Sequence, residues 1–278
     1  MLKTIRSTAQ LFGFACVLAA GTITGGAIAI GPARAEPPAL ISPGKLTYGV
    51  AASFSPFEFQ KDGVFAGFDI EFGAAVAKQM GLAPTPLNME FKGLIPALQG
   101  KRVDIINSAM YINPDRAGQV DFIPYMRIGN EIVVRKGNPI GIKSRDDLCG
   151  HRVAVTLGAI EETYARQDDV KCKAAGKQAV DILTLPTAQD SILSLRQGRA
   201  DAFFDSTPGA AEAIINVPDT FEIAGEPFES GTQIGMAVRK GDAALKTAIE
   251  AAVQATVKDG TYAALLKKYN LPASGSIF

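Results

Sequence analysis

Residues 67–81 read GFDIEFGAAVAKQMG. Phe68, Phe72, Val76 and Met80 recur at every fourth position, one stripe of an α-helix whose face must meet a core. Asp69 stands at the start as an N-cap or first-turn acid, where unpaired N–H groups and the positive dipole end favour a carboxylate. Gly81 occupies the place where a left-handed residue ends a helix. Upstream, Lys45–Ala51 predicts a strand and Ser53–Phe57 a loop. Strand, exposed loop and helix in that order present a small-molecule site at the carboxyl end of an α/β strand.

Working outward, Pro84–Phe91 predicts a second strand, Leu94–Gly100 a short helix closed by glycine, and Val103–Met110 a buried third strand. Asp121–Tyr125 ends this first unit. Glu131–Arg135 predicts a strand followed by the turn Lys136–Pro139. A second alternation then runs through strands at Arg152–Thr156, Asp181–Leu185 and Ala200–Phe204, with helices at Glu161–Arg166, Ala188–Gln197 and Ala210–Ile215. A strand at Thr232–Arg239 and helices at Ala243–Val257 and Tyr262–Tyr269 close the chain. The alternation predicts parallel βαβ units, two of them in one chain.

The N-terminal end has a different character. Lys3 and Arg6 precede an apolar stretch, and Ala33-Arg34-Ala35 forms an A-x-A site before Glu36, so residues 1–35 read as a cleaved export signal. No later run reaches the ~18 apolar residues of a spanning helix. The 278 residues carry 28 basic and 28 acidic side chains. Loss of the leader removes Lys3, Arg6 and Arg34 and no acid, leaving a slightly acidic chain. With Lys and Arg dispersed, a nucleic-acid partner is not expected. Cys16 leaves with the leader, and in an oxidising compartment Cys149 and Cys172 are expected to pair. His151 is the sole histidine, so no metal site or cofactor is expected.

Enzyme templates fit poorly: there is no G-x-S-x-G elbow, HExxH pair or phosphate loop. Aromatic and polar residues instead collect at strand ends. Phe54 and Phe57 lie in the first loop, Phe91 follows the second strand, and Ser108, Ala109 and Tyr111 finish the third.

These residues carry a resemblance. GFDIEFGAAVAKQMG closely resembles the signature of bacterial periplasmic solute-binding proteins for polar amino acids, the receptors of ABC importers. The ordered segments SPFEF, FKGLIPALQGKRVDIINSAM, NPDRAGQVDF, LGAIEETYA, LRQGRADAFF and DGTYAALLKKY are similar to the same family, from Lys45 to about Leu271. The resemblance implies a two-lobed α/β fold, each lobe a mostly parallel sheet flanked by helices. One lobe would comprise residues 36–127 and 233–278, the other 128–232, joined by two hinge strands. It implies a monomer that binds a small solute in the interlobe cleft and hands it to a membrane permease–ATPase complex.

The same resemblance implies residue roles. Phe54 and Phe91 match the aromatic pair that sandwiches the ligand, and Arg116 the arginine that grips its carboxylate through a bidentate fork. Ser108 matches a polar strand-end contact, and Gly158, Ala159, Ile160 and Glu161 match a helix start whose N–H groups bind the same carboxylate. Two positions depart from the pattern. Ala51 stands where an acid is usual. The aspartate that pairs with an α-ammonium aligns with Ser206, while Asp205 lies one residue earlier, and one residue along a strand changes the face. Tyr111 replaces a small polar residue and would crowd or stack on the ligand. A rival reading is a periplasmic enzyme resembling cyclohexadienyl dehydratases, with Glu161, Glu162 or Asp205 as a desolvated proton donor. A sensory binding protein would share the ligand site.

Overall fold

The computed structural model describes residues 38–278; the predicted export signal at 1–35 lies outside them. Strand β1 (Lys45–Val50) runs into three short strands, β2 (Ser53–Phe54), β3 (Glu58–Lys61) and β4 (Val64–Ala66), which pair antiparallel as a small sheet of their own. The stretch expected to be a loop at 53–57 is therefore the first strand and turn of a meander. Its two-residue strand is too short to show a period, which is why pattern reading missed it.

Helix α1 (Phe68–Gln79) follows. Its first N–H groups are not satisfied by a side chain: those of Phe68 and Asp69 donate to the carbonyls of Pro56 and Phe57 at 3.0 and 2.8 Å. That close approach requires Gly67, whose φ is +124° and where a Cβ would fall 2.2 Å from the Phe57 carbonyl oxygen. Asp69 is thus a first-turn residue and not the cap. Phe68 and Phe72 are fully buried against Tyr125 and Tyr262, with ring centroids 5.3–6.0 Å apart. Each ring contributes about 1.5–3 kcal/mol by burial. Gly81 takes the left-handed conformation expected, φ +70°.

After α1 come β5 (Ala83–Asn88), α2 (Leu94–Gln99), β6 (Ile105–Tyr111), α3 (Pro114–Ala117) and β7 (Val120–Arg127). The next elements are β8 (Asn130–Arg135), β9 (Arg152–Thr156), α4 (Ile160–Ala174), β10 (Asp181–Leu185), α5 (Ala188–Arg196), β11 (Ala202–Ser206), α6 (Thr207–Asn216) and β12 (Phe221–Ile223). The chain closes with β13 (Gln233–Arg239), α7 (Ala243–Lys258) and α8 (Thr261–Lys268). No helix among the described residues is long and apolar enough to cross a membrane.

Two five-stranded sheets result, in the orders β5-β1-β6-β13-β7 and β10-β9-β11-β8-β12. The predicted parallel pairing holds at β5-β1-β6 and β10-β9-β11. The other strands, β13, β7, β8 and β12, pair antiparallel. They are the strands that leave and re-enter each sheet, so they lack the crossover helix that makes neighbours parallel. The chain passes from the first sheet to the second between β7 and β8 and returns between β12 and β13. Where the passages meet, Ile128 N–H donates to Thr232, and Asn130 and Phe228 exchange backbone bonds of 2.8–2.9 Å. Cys149 and Cys172 form the expected disulfide, fastening the segment before β9 to α4.

Candidate ligand-binding site

The pocket between the two sheets begins with a distortion in β6. Opposite β13, Met110 pairs with Gly235 and Ile106 with Ala237, so β6 carries extra residues in a bulge. Asp69 holds it. Its Oδ2 accepts the Ala109 N–H at 2.5 Å, its backbone carbonyl accepts from Asn107 Nδ2 at 2.6 Å, and Tyr125 donates its hydroxyl to the carboxylate at 2.7 Å. Ala109 takes φ +37°, a conformation unfavourable for a residue with a Cβ and tolerated here because Asp69 anchors it. The bulge turns Ala109 and Tyr111 toward the space between the sheets.

That space holds a small cavity of about 40 Å³. The first sheet contributes Ala51, Ser53, Phe54, Phe91, Ala109 and Tyr111; the second contributes Thr156, Ala159, Ile160 and Glu161, then Ala188, Phe203, Phe204 and Asp205. Of the positions singled out from sequence, Ala51, Phe54, Phe91, Ala109, Tyr111, Ala159, Ile160, Glu161 and Asp205 line one cavity. Tyr111 donates its hydroxyl to the Gly129 carbonyl at 3.1 Å, on the first passage between the sheets.

Three positions do something else. Ser108 is buried on the opposite side of the strand; its hydroxyl donates to Glu58 Oε1 at 2.6 Å and accepts the Ala51 N–H at 3.0 Å. It braces the pocket floor and does not line it. Ser206 is the N-cap of α6, its Oγ accepting the Gly209 N–H at 3.1 Å. The face change between adjacent strand residues accordingly delivers Asp205, not Ser206, to the cavity. Arg116 lies beside the cavity. It donates to the carbonyls of Tyr111 at 2.8 Å and Gly158 at 2.9 Å, bridging the two sheets, with its guanidinium 5.3 Å from the Phe91 ring centroid.

Electrostatics separate the two walls. Glu161 and Asp205 both face an apolar cavity. Burial pushes Glu161 up to about 7, opposed by its own backbone N–H and the nearby charge of Arg116. Burial also raises Asp205 well above the ordinary range, and the Glu161 charge adds to it. At the start of α4, Glu162 accepts the Gly158 N–H at 2.7 Å, and the Glu161 N–H serves its own carboxylate. Two of the four N–H groups expected to hold a ligand carboxylate, those of Gly158 and Glu161, are thus engaged by side chains of the same helix, and that of Ala159 donates to the Thr156 carbonyl at 3.1 Å. Glu58, the support under Ser108, was not singled out from sequence. A buried acid eleven residues before Asp69 has no local signal.

Among the described residues no cluster of histidine, cysteine and acids has the geometry of a metal site. A two-sheet cleft with aromatic walls and convergent charged groups defines a solute-binding protein. The sequence model of the bacterial extracellular solute-binding proteins, family 3, matches residues 46–272, and the chain belongs to that family. It is 34% identical over 228 residues to the L-cystine-binding protein TcyJ of Escherichia coli (strain K12), spanning 81% of this chain and 82% of that protein. It is 30% identical over 223 residues to the ABC transporter arginine-binding protein 1 of the same strain, spanning 78% and 87%. An ancestral arginine-binding protein bound to arginine shares its structure with TM-score 0.76 and 37% identity, covering 81% and 98% of the two chains. The ancestral amino-acid-binding protein AncCDT-1, a precursor of cyclohexadienyl dehydratase, gives TM-score 0.71 and 33% identity, covering 81% and 95%.

Proposed function

We propose that this chain is the substrate-binding component of an ABC importer, exported to the periplasm, and that it takes an amino acid or amino-acid-like solute into the cavity between its sheets. The observation that carries this reading is the cavity itself, where aromatic side chains from one sheet face two unpaired carboxylates from the other. A ligand ammonium would satisfy Asp205 or Glu161, whose desolvation makes each a strong acceptor once ionised. Phe54, Phe91 and Tyr111 would bury the ligand's apolar atoms and stack on flat or cationic groups. Arg116 has N–H donors beyond the two that its carbonyl partners use and would offer them to a ligand carboxylate.

In this account residues 36–127 and 233–278 form one lobe and 128–232 the other, and the two passages between the sheets act as the hinge. Bonds that join the lobes, such as Arg116 to Gly158 and Ser55 to Glu212, form only when the cleft is shut. A ligand held by both walls shifts the population toward that state, the form a membrane permease–ATPase complex would recognise. Calorimetric titration of the purified protein with a panel of L-amino acids, opines and related carboxylates tests the reading. Binding of at least one member supports it, and a panel with no binder refutes it.

One observation favours a second reading. Glu161 is desolvated, raised to about 7 and faces the cavity, as a general acid must. Loss of prephenate or arogenate in the presence of the protein, abolished by Glu161→Gln, would establish a dehydratase. Unchanged substrate ends that reading.

A further inference from the structure

The cleft does not end at Phe54. A second cavity, of about 140 Å³, lies between the Ser53–Ser55 turn and helices α5 and α6. It shares Ser53, Phe54, Ala188 and Asp205 with the first, so Phe54 and Asp205 are a partition between two compartments. The partition is a built feature. Asp205 is 3% exposed, and its Oδ1 accepts the Ser206 N–H at 2.7 Å. Behind the carboxylate sits Gly209, where a Cβ would fall 2.5 Å from Oδ1 and 2.8 Å from Oδ2. Glycine at 209 is what leaves that carboxylate its place.

Across the second compartment stands Glu212. Its Oε1 accepts from Ser55 Oγ at 3.4 Å and from Asn216 Nδ2 at 3.2 Å, both long bonds from neutral donors. Among the described residues no Lys, Arg or His lines either compartment. A charged donor entering the space would replace weak neutral bonds by charge-assisted ones. An anionic group would meet the Glu212 charge and the Asp205 oxygens at short range, and an apolar one would leave both carboxylates with only their neutral partners.

We propose that this second compartment is a subsite for the distal end of an elongate ligand and takes an ammonium or guanidinium group between Asp205 and Glu212. The proposal rests on the first cavity holding the amino-acid head. It narrows the ligand to a molecule with a polar head and a cationic tail several atoms away, long enough to pass Phe54.

The test is calorimetric titration of wild type and Glu212→Lys with L-lysine, L-norleucine and L-2-aminoadipate, which have similar reach and cationic, apolar and anionic tails. Wild type should bind L-lysine at least about tenfold more tightly than L-norleucine, the scale of one charge-assisted hydrogen bond. Glu212→Lys should lower the ratio of L-lysine to L-2-aminoadipate affinity by about a hundredfold, because attraction becomes repulsion for one ligand and the reverse for the other. A misfolded variant binds neither, which loses both affinities and not their ratio. Circular dichroism and restoration of L-lysine binding in Glu212→Asp separate that case, and a folded variant with an unchanged ratio overturns the subsite. Equal binding of L-lysine and L-norleucine by wild type overturns the subsite and leaves the receptor reading standing. Absence of binding by all three and by the wider amino-acid panel overturns both.

Discussion

Two pairs of buried carboxylates flank the pocket, one under each wall, and they have opposite surroundings. Beneath the first sheet, Glu58 and Asp69 are fully buried and well supplied with donors: Ser108, Tyr125 and the Ala109 N–H. Among the described residues no donor reaches Oε2 of Glu58, and the Asp69 charge adds to the burial of that carboxyl. Burial raises both, Asp69 to about 7, and repulsion keeps them from being ionised together. On the second sheet, Glu161 and Asp205 take only local donors, backbone N–H groups and for Asp205 also the Ser206 side chain, and otherwise face the cavity. Burial and a raised pKa are common to all four, so neither marks a ligand site. What separates the pairs is where their unused acceptor capacity points, into the protein or into the cavity.

Substitution should break this symmetry most strongly at Asp69. Asp69→Ala strands the Tyr125 hydroxyl and the Ala109 N–H and frees the bulge, and should cost about 3–5 kcal/mol of stability in urea unfolding. Asp205→Asn removes a buried charge that has no cationic partner, keeps an acceptor for Ser206, and should change stability by less than about 1 kcal/mol. Equal destabilisation by the two would end the distinction. In binding, Arg116→Ala should cost about 2–5 kcal/mol, measured as a Kd ratio, since it removes a buried charged partner. The double variant Cys149→Ser with Cys172→Ser should lose about 3 kcal/mol of stability through the freed loop and keep wild-type affinity. A shift in affinity would show that the bridge also shapes the cleft.

The smallest effect expected is a pH dependence. Asp69 and Glu161 are raised from the usual carboxylate range to about 7 in the folded protein. Between those limits the folded state holds protons that the unfolded chain has released. The contribution of these two groups to stability is therefore greatest near the ordinary carboxylate pKa and falls as pH rises to about 7. Glu58→Gln removes the other half of this buried pair, itself raised by burial and by the Asp69 charge, and should flatten that slope. An unchanged slope in the variant would mean that the pair does not titrate together.

Much of this architecture was legible in the chain. The stripe Phe68-Phe72-Val76 and the alternation of strands and helices are periodic signals, and long-range burial enforces them. The cavity's aromatic side chains were legible through their place at strand ends. The roles of Ser108, Ser206 and Asp69 were not, because each depends on which way one residue of a strand or helix end faces. A bulge in β6 and the start of α6 set that direction, and neither has a pattern of its own. Glu58 was invisible for a related reason: its partners are 50 and 11 residues away in sequence. The opening helix therefore does more than brace the core. Through Asp69 it shapes the pocket wall.

The central claim is that Arg116 and the two carboxylates of the second sheet hold an amino-acid-like ligand between the sheets. Isothermal titration of wild type and Arg116→Ala with L-arginine, L-glutamine and L-cystine tests it most directly. The account predicts one-site binding of at least one of the three, weakened at least about 30-fold by the substitution, the equivalent of ~2 kcal/mol. Binding that is unchanged in Arg116→Ala, or no binding by wild type, would contradict it.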